Sequence, residues 1–228
     1  MKTAVVLLSG GQDSTTCLYW AKVNFDRVTA VCFDYGQRHV TELAAAERVA
    51  RVANVTLKKL TIGALRELAG SALTSSGIPV AAEGGYKDAE APNGLPSTFV
   101  PGRNALFMAL AAAHAVSLGA KAIVTGTCQT DYSGYPDCRR DFVDAMERAL
   151  TLAMPSSAGP IQIVTPLMYL TKAETVGLAQ RLPGCMDALA ETVTCYHGRR
   201  PGCGQCPACE LRARGFAEAG VLDPAGAP

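Results

Sequence analysis

Short apolar segments alternate with helical ones along this chain, and this alternation restricts the possible folds more than any other feature. Five segments rich in apolar and β-branched residues are predicted to form strands: Thr3–Leu8, Arg27–Tyr35, Val55–Ile62, Lys121–Thr127 and Ile161–Leu167. Between them, apolar residues recur at helical spacing; in residues 38–53, for example, Leu43, Ala46 and Ala50 share one face. Apolar strands that alternate with helices are typical of parallel sheets. The sequence therefore predicts an α/β fold with a five-stranded parallel sheet and helices on both faces.

The order of these elements also predicts where a ligand binds. In sheets of this kind, ligands occupy a crevice at the carboxyl ends of the strands. That rule brings together four segments that are distant in sequence: Ser9–Ser14, Phe33–His39, Gly126–Arg139 and Thr165–Lys172. We therefore expect the functional residues of the chain to come from these segments.

The 228 residues are enough for one domain with a full core, predicted as residues 1–184, and a smaller C-terminal segment, residues 185–228. Within the first, residues 104–119 are apolar nearly all round, which predicts a buried helix with His114 in the core. Residues 63–101 are rich in Gly, Pro, Ser and Ala and long for a connection, so they predict a mobile insertion such as a lid.

Composition excludes several classes of protein. The formal net charge is +1, which argues against a protein that wraps nucleic acid, although a small anionic ligand needs only a local positive site. No segment approaches the roughly 18 apolar residues of a membrane span, and the apolar start is interrupted too early for a signal peptide. These features predict a cytoplasmic protein with small-molecule partners, no nucleic acid and no membrane.

The segment LSGGQDSTT connects the first strand to the first helix and predicts a phosphate site. A helix N-terminus offers unpaired N–H groups and a positive dipole end, and the two glycines let a phosphate approach the backbone. Asp13 adds negative charge there, which is reasonable for a Mg²⁺ ligand. The alternative is an ordinary glycine turn with a capping Ser or Asp. The candidate nucleotide-binding residues are Leu8, Ser9, Gly10, Gly11, Gln12, Asp13, Ser14, Thr15 and Thr16.

Four of the nine cysteines lie close together near the C-terminus: Cys195, Cys203, Cys206 and Cys209. Four thiolates at this spacing favour tetrahedral Zn²⁺ in a closed, structural site that stabilises a segment without a core of its own. His197 is a weaker candidate ligand, and an iron–sulfur cluster is the competing interpretation because C-x₂-C-x₂-C also binds such clusters. The other five cysteines are isolated, and we interpret them as small buried apolar side chains.

The phosphate loop resembles that of the N-type ATP pyrophosphatases, whose pattern is Ser-Gly-Gly-any-Asp-Ser and whose members cleave ATP between the α and β phosphates. Taken with FDYGQRH, FVPGRN, GTCQTDYSGYPDCR and the four cysteines, in that order, the chain is similar to the 7-cyano-7-deazaguanine synthase family over about residues 2–218. The resemblance implies an adenine nucleotide alpha hydrolase-like, Rossmann-like fold and a homodimer. It also implies ATP with Mg²⁺ as the activating reagent.

The reaction that this resemblance implies is an ATP-dependent C–N ligation. ATP adenylates the carboxylate of 7-carboxy-7-deazaguanine, ammonia converts the adenylate to an amide, and a second adenylation followed by loss of AMP leaves the nitrile. Catalysis would rest on positioning and charge stabilisation without a covalent enzyme intermediate. The alternative is another enzyme of the ATP pyrophosphatase class, such as one that adenylates and modifies tRNA. A zinc module that binds nucleic acid is the third hypothesis.

The resemblance also implies roles for particular residues. The predicted catalytic residues are Asp13, Arg103, Asp131, Asp137 and Arg139. Arg103 would pair with a phosphate or with the substrate carboxylate, or would have only a capping role, and an Asp of the crevice loop would accept hydrogen bonds from the guanine-like edge. Further candidates are Tyr35 and Tyr132 for stacking, Gln37, Arg38 and His39 at the end of the second strand, and Lys172 for a phosphate.

Overall fold

The predicted parallel sheet is present in the computed structural model, which describes residues 1–37, 41–63, 65, 67, 71–74, 95–130 and 135–226. Five strands pair in parallel in the order β3–β2–β1–β4–β5. Their bounds are Thr3–Leu7 (β1), Arg27–Asp34 (β2), Thr56–Thr61 (β3), Ala122–Val124 (β4) and Gln162–Val164 (β5). Each lies inside a segment that the sequence predicts as a strand, so the five-stranded α/β fold is confirmed.

Helices connect the strands and continue beyond β5. Their bounds are Gln12–Asn24 (α1), Thr41–Val52 (α2), Arg103–Ser117 (α3), Arg140–Ala153 (α4), Lys172–Arg181 (α5), Cys185–Leu189 (α6) and Pro207–Glu218 (α7). Single 3₁₀ turns occur at Pro136–Cys138 and Ser156–Ala158. The start of α5 is fixed by a reciprocal cap, in which the Thr171 hydroxyl accepts from the Glu174 N–H and the Glu174 carboxylate accepts from the Thr171 N–H.

The sheet separates two apolar cores, as expected for parallel strands with helices on both faces. On β1, Ala4 and Val6 pack against α1 and α2 on one side, while Val5 packs against α3 on the other. The strand order changes direction between β1 and β4, because the chain builds β2 and β3 outward before it returns to β4. The loops after β1 and β4 therefore diverge from a common point, which is where such folds bind ligands.

The prediction that residues 104–119 form a helix buried all round was wrong. Within α3, the fully buried residues are Met108, Ala111, Ala112 and Ala115, and the remaining apolar side chains are half-buried or exposed. His114 is half-buried and lies beside Ser117 rather than in the core. The physical reason is that α3 belongs to the outer layer, where one face meets the sheet and the other faces outward.

The C-terminal segment shares a core with the rest of the chain. Cys185, Ala188 and Leu189 of α6 and Phe216 of α7 are buried together with residues of β1 and α1. The cysteine-bearing part forms a separate small cluster with Ala45 of α2. Division of the chain at residue 184 therefore stays a prediction. The predicted insertion 63–101 lies mostly outside the described residues, and its described ends are packed, with Ala72 N–H donating to the Ser97 carbonyl at 2.8 Å.

Candidate active site

A cavity of about 330 Å³ lies at the carboxyl ends of β1, β2 and β4, where the strand order changes direction. The first turns of α2, α3 and α5 and the C-terminal segment complete its wall. Its polar and aromatic lining includes Ser9, Gln12, Asp13, Ser14, Tyr35, Gln37, Glu42, Arg103, Asn104, Phe107, Thr127, Tyr135, Lys172, Thr194 and Tyr196. The crevice predicted from the sequence thus exists, and a phosphate loop, an arginine and several aromatic rings face the same space.

The phosphate loop is held in shape by its own side chains. The Ser14 hydroxyl accepts from the Ser9 N–H at 3.2 Å and donates to the Gly11 carbonyl at 3.1 Å. Gly10 has a φ of +88°, and a Cβ there would lie 2.5 Å from the Glu42 carbonyl oxygen of α2. Only glycine fits such a backbone contact. The loop therefore packs closely against α2. The first turn of α1, whose N–H groups have no partner within the helix, lines the cavity.

The nine predicted nucleotide-binding residues divide into two groups. Leu8, Ser9, Gly11, Gln12, Asp13 and Ser14 line the cavity. Gly10, Thr15 and Thr16 are buried and do not line it. The Thr16 hydroxyl donates to the Gln12 carbonyl at 3.0 Å, because residues 15 and 16 occupy the face of α1 that meets the core. Thr15 and Thr16 thus lie behind the cavity wall, and their contact with a nucleotide stays a prediction.

The phosphate loop contains no lysine, but Lys172, the first residue of α5, lies beside it. Its Nζ is 2.5 Å from Asp13 Oδ2, and both side chains are more than half buried. Asp13 Oδ1 is buried and has no hydrogen-bond partner within the described part of the chain. A carboxylate with one oxygen paired to an ammonium and the other free of protein donors suits a divalent cation. The residues present thus fit Mg²⁺ at Asp13, beside a lysine supplied by α5.

Arg103 is the centre of a second polar group in the cavity. It donates a hydrogen bond to the Tyr35 hydroxyl, and Tyr135 and Asp137 are close enough to influence its charge. Burial opposes that charge, but the partial and full negative charges of these three neighbours raise the pKa of Arg103 above its ordinary value. The guanidinium is therefore a permanent cation at the wall of the cavity, which is suited to an anionic group of a ligand.

Aromatic rings surround this arginine. Phe107 stacks on Phe33 with ring centroids 4.3 Å apart, and Tyr35 lies 5.5 Å from Phe107. Tyr135 packs against Phe99 at 5.5 Å, and its hydroxyl shares a 2.5 Å hydrogen bond with Thr98. Because rings of this kind bind flat heterocycles by stacking, this side of the cavity is suited to a planar ligand with a negative substituent.

Two further predicted catalytic residues, Asp137 and Arg139, do not line the cavity. Asp137 and Arg139 line a shallower hollow on the outer side of α3 and α4, and the Asp137 carboxylate accepts from the Asn104 N–H at 3.3 Å. Burial raises the pKa of Asp137, which Arg103 and Asn104 oppose. Asp137 therefore contacts the first turn of α3, which begins at Arg103, and its predicted catalytic role stays a prediction. Asp131, together with Arg38, His39 and Tyr132, lies outside the described residues.

Glu42 is a cavity residue that the sequence interpretation missed. It lies in the first turn of α2 and lines the cavity together with Arg103 and Tyr35. Burial raises the pKa of its carboxyl to about 7, and the opposing effect of Arg103 is smaller. The available signal in the sequence was an acid in the first turn of the helix that follows FDYGQRH.

The four clustered cysteines converge on one point. Their sulfur atoms all lie within 4.8 Å of one another, and Cys203 Sγ is 4.0 Å from Cys209 Sγ. Backbone amides of Tyr196 and His197 donate to Cys206 and Cys195 Sγ, each at 3.4 Å. A tetrahedral ion with metal–sulfur bonds of about 2.3 Å needs sulfur atoms about 3.8 Å apart. The four sulfurs therefore fit one metal ion.

The whole sequence matches one family. The model of the family described as "Queuosine biosynthesis protein QueC" matches residues 3–220. A protein of Chromobacterium violaceum named 7-cyano-7-deazaguanine synthase is 55% identical over 223 residues, which cover 97% of this chain and 92% of that protein. A protein of the same name from Laribacter hongkongensis is 53% identical over 221 residues, covering 97% and 93% of the two chains.

Solved structures with the same fold are more distant. A predicted subunit of a tRNA methyltransferase from Methanocaldococcus jannaschii superposes with a TM-score of 0.52 at 18% identity, covering 79% of this chain and 76% of that one. A 4-thiouridine synthetase, solved in an RNA complex with bound ATP, gives a TM-score of 0.50 at 17% identity, covering 95% and 53%. At such identities these similarities concern the fold alone.

Proposed function

The chain is a member of the queuosine biosynthesis protein QueC family of enzymes, and on that premise we propose that it converts 7-carboxy-7-deazaguanine, ammonia and ATP to 7-cyano-7-deazaguanine. One observation carries the proposal. A single cavity combines the phosphate loop with a half-buried arginine that has Tyr35 and Tyr135 as neighbours. Such a cavity can hold the phosphates of ATP at one end and a planar acid at the other, which is the arrangement that adenylation of that acid requires.

In this scheme the phosphate loop and Lys172 hold the leaving part of ATP. The amides at the start of α1, with Ser9 and Ser14, would bind the β and γ phosphates, and Lys172 Nζ would neutralise charge on the departing pyrophosphate. Mg²⁺ bound at Asp13 would supply further positive charge to the same phosphates. The α phosphorus is then left open to attack by a carboxylate oxygen of the acid.

Arg103 and the aromatic rings would position that acid. The guanidinium matches a carboxylate in shape and charge, and the Tyr35 and Phe107 rings lie beside it for stacking on the deazaguanine. The carboxylate oxygen attacks the α phosphorus, the bond to the β phosphate breaks, and pyrophosphate leaves with its electron pair. Ammonia then attacks the acyl carbon, AMP leaves, and the nitrogen releases a proton to give the amide.

The second half of the reaction uses the same groups. The amide oxygen attacks the α phosphorus of a second ATP, and pyrophosphate leaves again. Loss of two protons from the nitrogen and departure of AMP with the former amide oxygen produce the nitrile. We assign the acceptance of protons to Glu42, because it lines the cavity and is the carboxylate whose ionisation falls near neutral pH.

Glu42→Gln should lower kcat by about two orders of magnitude at pH 8 and flatten its dependence on pH. A base works as the carboxylate, so the rate of the unmodified enzyme should rise as the pH increases through about 7. The stability effect has the opposite direction: burial of the ionised form costs free energy, so this group favours folding below its unfolded pKa and loses that contribution as the pH rises through about 7. Pre-steady-state rates from pH 5.5 to 9 provide the measurement. An unchanged pH profile in the variant would exclude Glu42 as the proton acceptor.

The metal at the four cysteines is proposed to be zinc in a structural role. The sulfur atoms lie too close together for a four-iron cube, which needs a separate iron at each thiolate, whereas they fit a single ion. The site offers four ligands and no open position, so it would bind the metal for stability. An iron–sulfur cluster would instead give visible absorbance and iron in the purified protein.

Cys203→Ser should lower the melting temperature by roughly 10 °C, which corresponds to about 4 kcal/mol, with loss of one equivalent of zinc. The half-buried Cys203 supplies one of four ligands, and its loss opens the site to water. Elemental analysis and differential scanning calorimetry measure both effects. Cys185→Ala, at a buried thiol of α6 outside the cluster, is the control and should keep its zinc. Full zinc content in Cys203→Ser would contradict the assignment.

The direct test incubates the purified protein with ATP, Mg²⁺, ammonium and 7-carboxy-7-deazaguanine. We expect a nitrile product by mass spectrometry and two pyrophosphates per product. ATP cleavage that requires tRNA instead of the acid would favour the tRNA-modifying alternative. The net charge of +1 is unfavourable to that alternative, because proteins that bind tRNA usually present a basic face.

We also propose a cytoplasmic homodimer. Within the described residues, no helix has the length and apolar character that a membrane crossing requires. All nine cysteines are free thiols, which favours a reducing compartment. The outward face of α3 carries partly exposed Leu106, Leu110 and Val116, and a partner subunit could cover them. Sedimentation velocity tests the dimer, and a single species of about 24 kDa would contradict it.

A further inference from the structure

The C-terminal segment is bonded directly to the phosphate loop. The Val193 N–H donates to the Gly10 carbonyl at 3.0 Å, and Val193 also lines the cavity. Gly10 is the residue whose positive φ turns the chain from β1 toward α1. A hydrogen bond at this carbonyl therefore fixes the peptide plane on which the loop amides depend. The backbone around residue 193 thus helps to shape the site where phosphates would bind.

Arg212 of α7 holds that backbone in place. Its Nη1 donates to the Thr192 hydroxyl at 2.8 Å and to the Thr194 hydroxyl at 2.9 Å, on either side of Val193. Its Nε and Nη2 bind both oxygens of the Asp223 carboxylate at 2.6 and 2.8 Å. The arginine is 8% exposed, so this bidentate pair and the two hydroxyl contacts are shielded from water. A planar guanidinium in such a fork has little freedom to move.

The same helix meets the active-site lysine. A Cβ at Gly215 would lie 2.6 Å from Lys172 Cβ and 3.2 Å from its carbonyl carbon, so α7 packs closely against the first residue of α5. Lys172 is the partner of Asp13. Helix α7 therefore contacts the phosphate-binding end of the cavity at two places. Arg212 is linked to Gly10 through the backbone around Val193, and Gly215 packs directly against Lys172.

We propose that the C-terminal segment is a positioning element for ATP, in which Arg212, held by Asp223, fixes Thr192–Thr194 and thereby the Gly10 turn of the phosphate loop. This inference rests on the proposed use of the loop for ATP and extends it to residues that act on the phosphates through the shape of the loop. The segment then contributes twice, because its cysteines hold a metal and its helix shapes the phosphate site. Arg212 is a positioning residue, and its effect should appear in ATP binding.

Thr192→Val is the first test, because valine keeps the shape of threonine and does not reach the cavity. It removes two hydrogen bonds, the one accepted from Arg212 and the one donated to the Leu189 carbonyl at 2.6 Å. We expect the affinity for the non-cleavable α,β-methylene analogue of ATP to fall about tenfold by calorimetry. Asp223→Asn should weaken analogue binding in the same direction from the other side of the arginine. In turnover, both variants should raise the KM for ATP, while the KM for the deazaguanine acid changes less than twofold.

Thr151→Val is the matched control. Its hydroxyl also makes two hydrogen bonds, to the Ile161 carbonyl at 3.3 Å and from the Ile161 N–H at 3.0 Å, but it lies beside β5 and does not line the cavity. We expect a similar loss of melting temperature with unchanged affinity for the analogue. If Thr192→Val and Asp223→Asn lose stability as the control does but bind the analogue normally, the positioning role is wrong. An unmodified protein that binds the analogue but releases no pyrophosphate with the acid would refute the proposed function alone.

Discussion

Asp13→Asn is expected to lower the rate of pyrophosphate release by about three orders of magnitude while the protein remains folded. The substitution keeps the shape of the side chain and removes the charge that pairs with Lys172 at 2.5 Å. It also removes the oxygen donor set that Mg²⁺ prefers, since an amide is a weaker ligand than a carboxylate. Single-turnover release of pyrophosphate, measured over a range of Mg²⁺ concentrations, provides the result. The Mg²⁺ dependence separates loss of the metal site from general damage.

Asp144→Asn is the matched control for this experiment. Asp144 also forms a 2.5 Å ion pair, with Arg140 on the outer side of α4, and neither residue lines the cavity. Its loss should change stability by less than about 1 kcal/mol and leave the rate unaltered. Asp13→Asn with normal turnover would remove Asp13 from the metal site. A normal rate at saturating Mg²⁺ with a raised requirement for the metal would instead limit its role to metal affinity.

Features read from local spacing could be predicted well from the sequence. The five strands and the turn from β1 into α1 depend on residues close together in the chain. Periodicity and cap chemistry act within a few residues, so a single sequence contains their signal. The four cysteines belong to the same class, because their short spacing brings the sulfur atoms together.

Predictions failed where the outcome depended on which face of an element meets the rest of the molecule. The apolar character of α3 indicated burial all round, but a helix of the outer layer contacts the sheet with one face. Thr15 and Thr16 follow the phosphate loop in sequence, yet the turn of α1 directs them to the core. Asp137 was predicted to be catalytic from its place in a crevice loop, and its carboxylate accepts from the Asn104 N–H in the first turn of α3.

Contacts between elements that are distant in sequence could not be predicted from residue spacing. Lys172 is 159 residues from Asp13, and Val193 is still further from Gly10. Nothing in either local pattern indicates the partner, because the contact is set by the packing of α5 and α7 on the sheet. The phosphate loop has no lysine in its own sequence, but the tertiary structure places Lys172 beside it. The sequence could support Lys172 only as a candidate for a phosphate contact.

Arg103→Met should raise the KM for the deazaguanine acid by about two orders of magnitude and leave the affinity for the α,β-methylene analogue of ATP within about twofold. Methionine keeps much of the volume of the side chain and removes the guanidinium that Tyr35, Tyr135 and Asp137 stabilise as a cation. A carboxylate of the substrate would then enter a buried pocket without its counter-charge, which is costly. Steady-state kinetics with the acid varied at saturating ATP, together with calorimetry of the ATP analogue, separate the two ligands.

Arg103→Lys gives a sharper version of the same argument. Lysine keeps the positive charge but loses the planar fork, so partial recovery of the KM relative to methionine would separate charge from geometry. Arg140→Met is the control, because Arg140 is a half-buried arginine bonded to Thr165 and Asp144 outside the cavity, and its KM values should be unchanged. If Arg103→Met weakens the ATP analogue and leaves the acid unaffected, Arg103 binds a phosphate instead. In that case the acid would have to bind at the opposite end of the cavity, next to the phosphate loop and Asp13. The two ligands would then have exchanged places relative to the proposed arrangement.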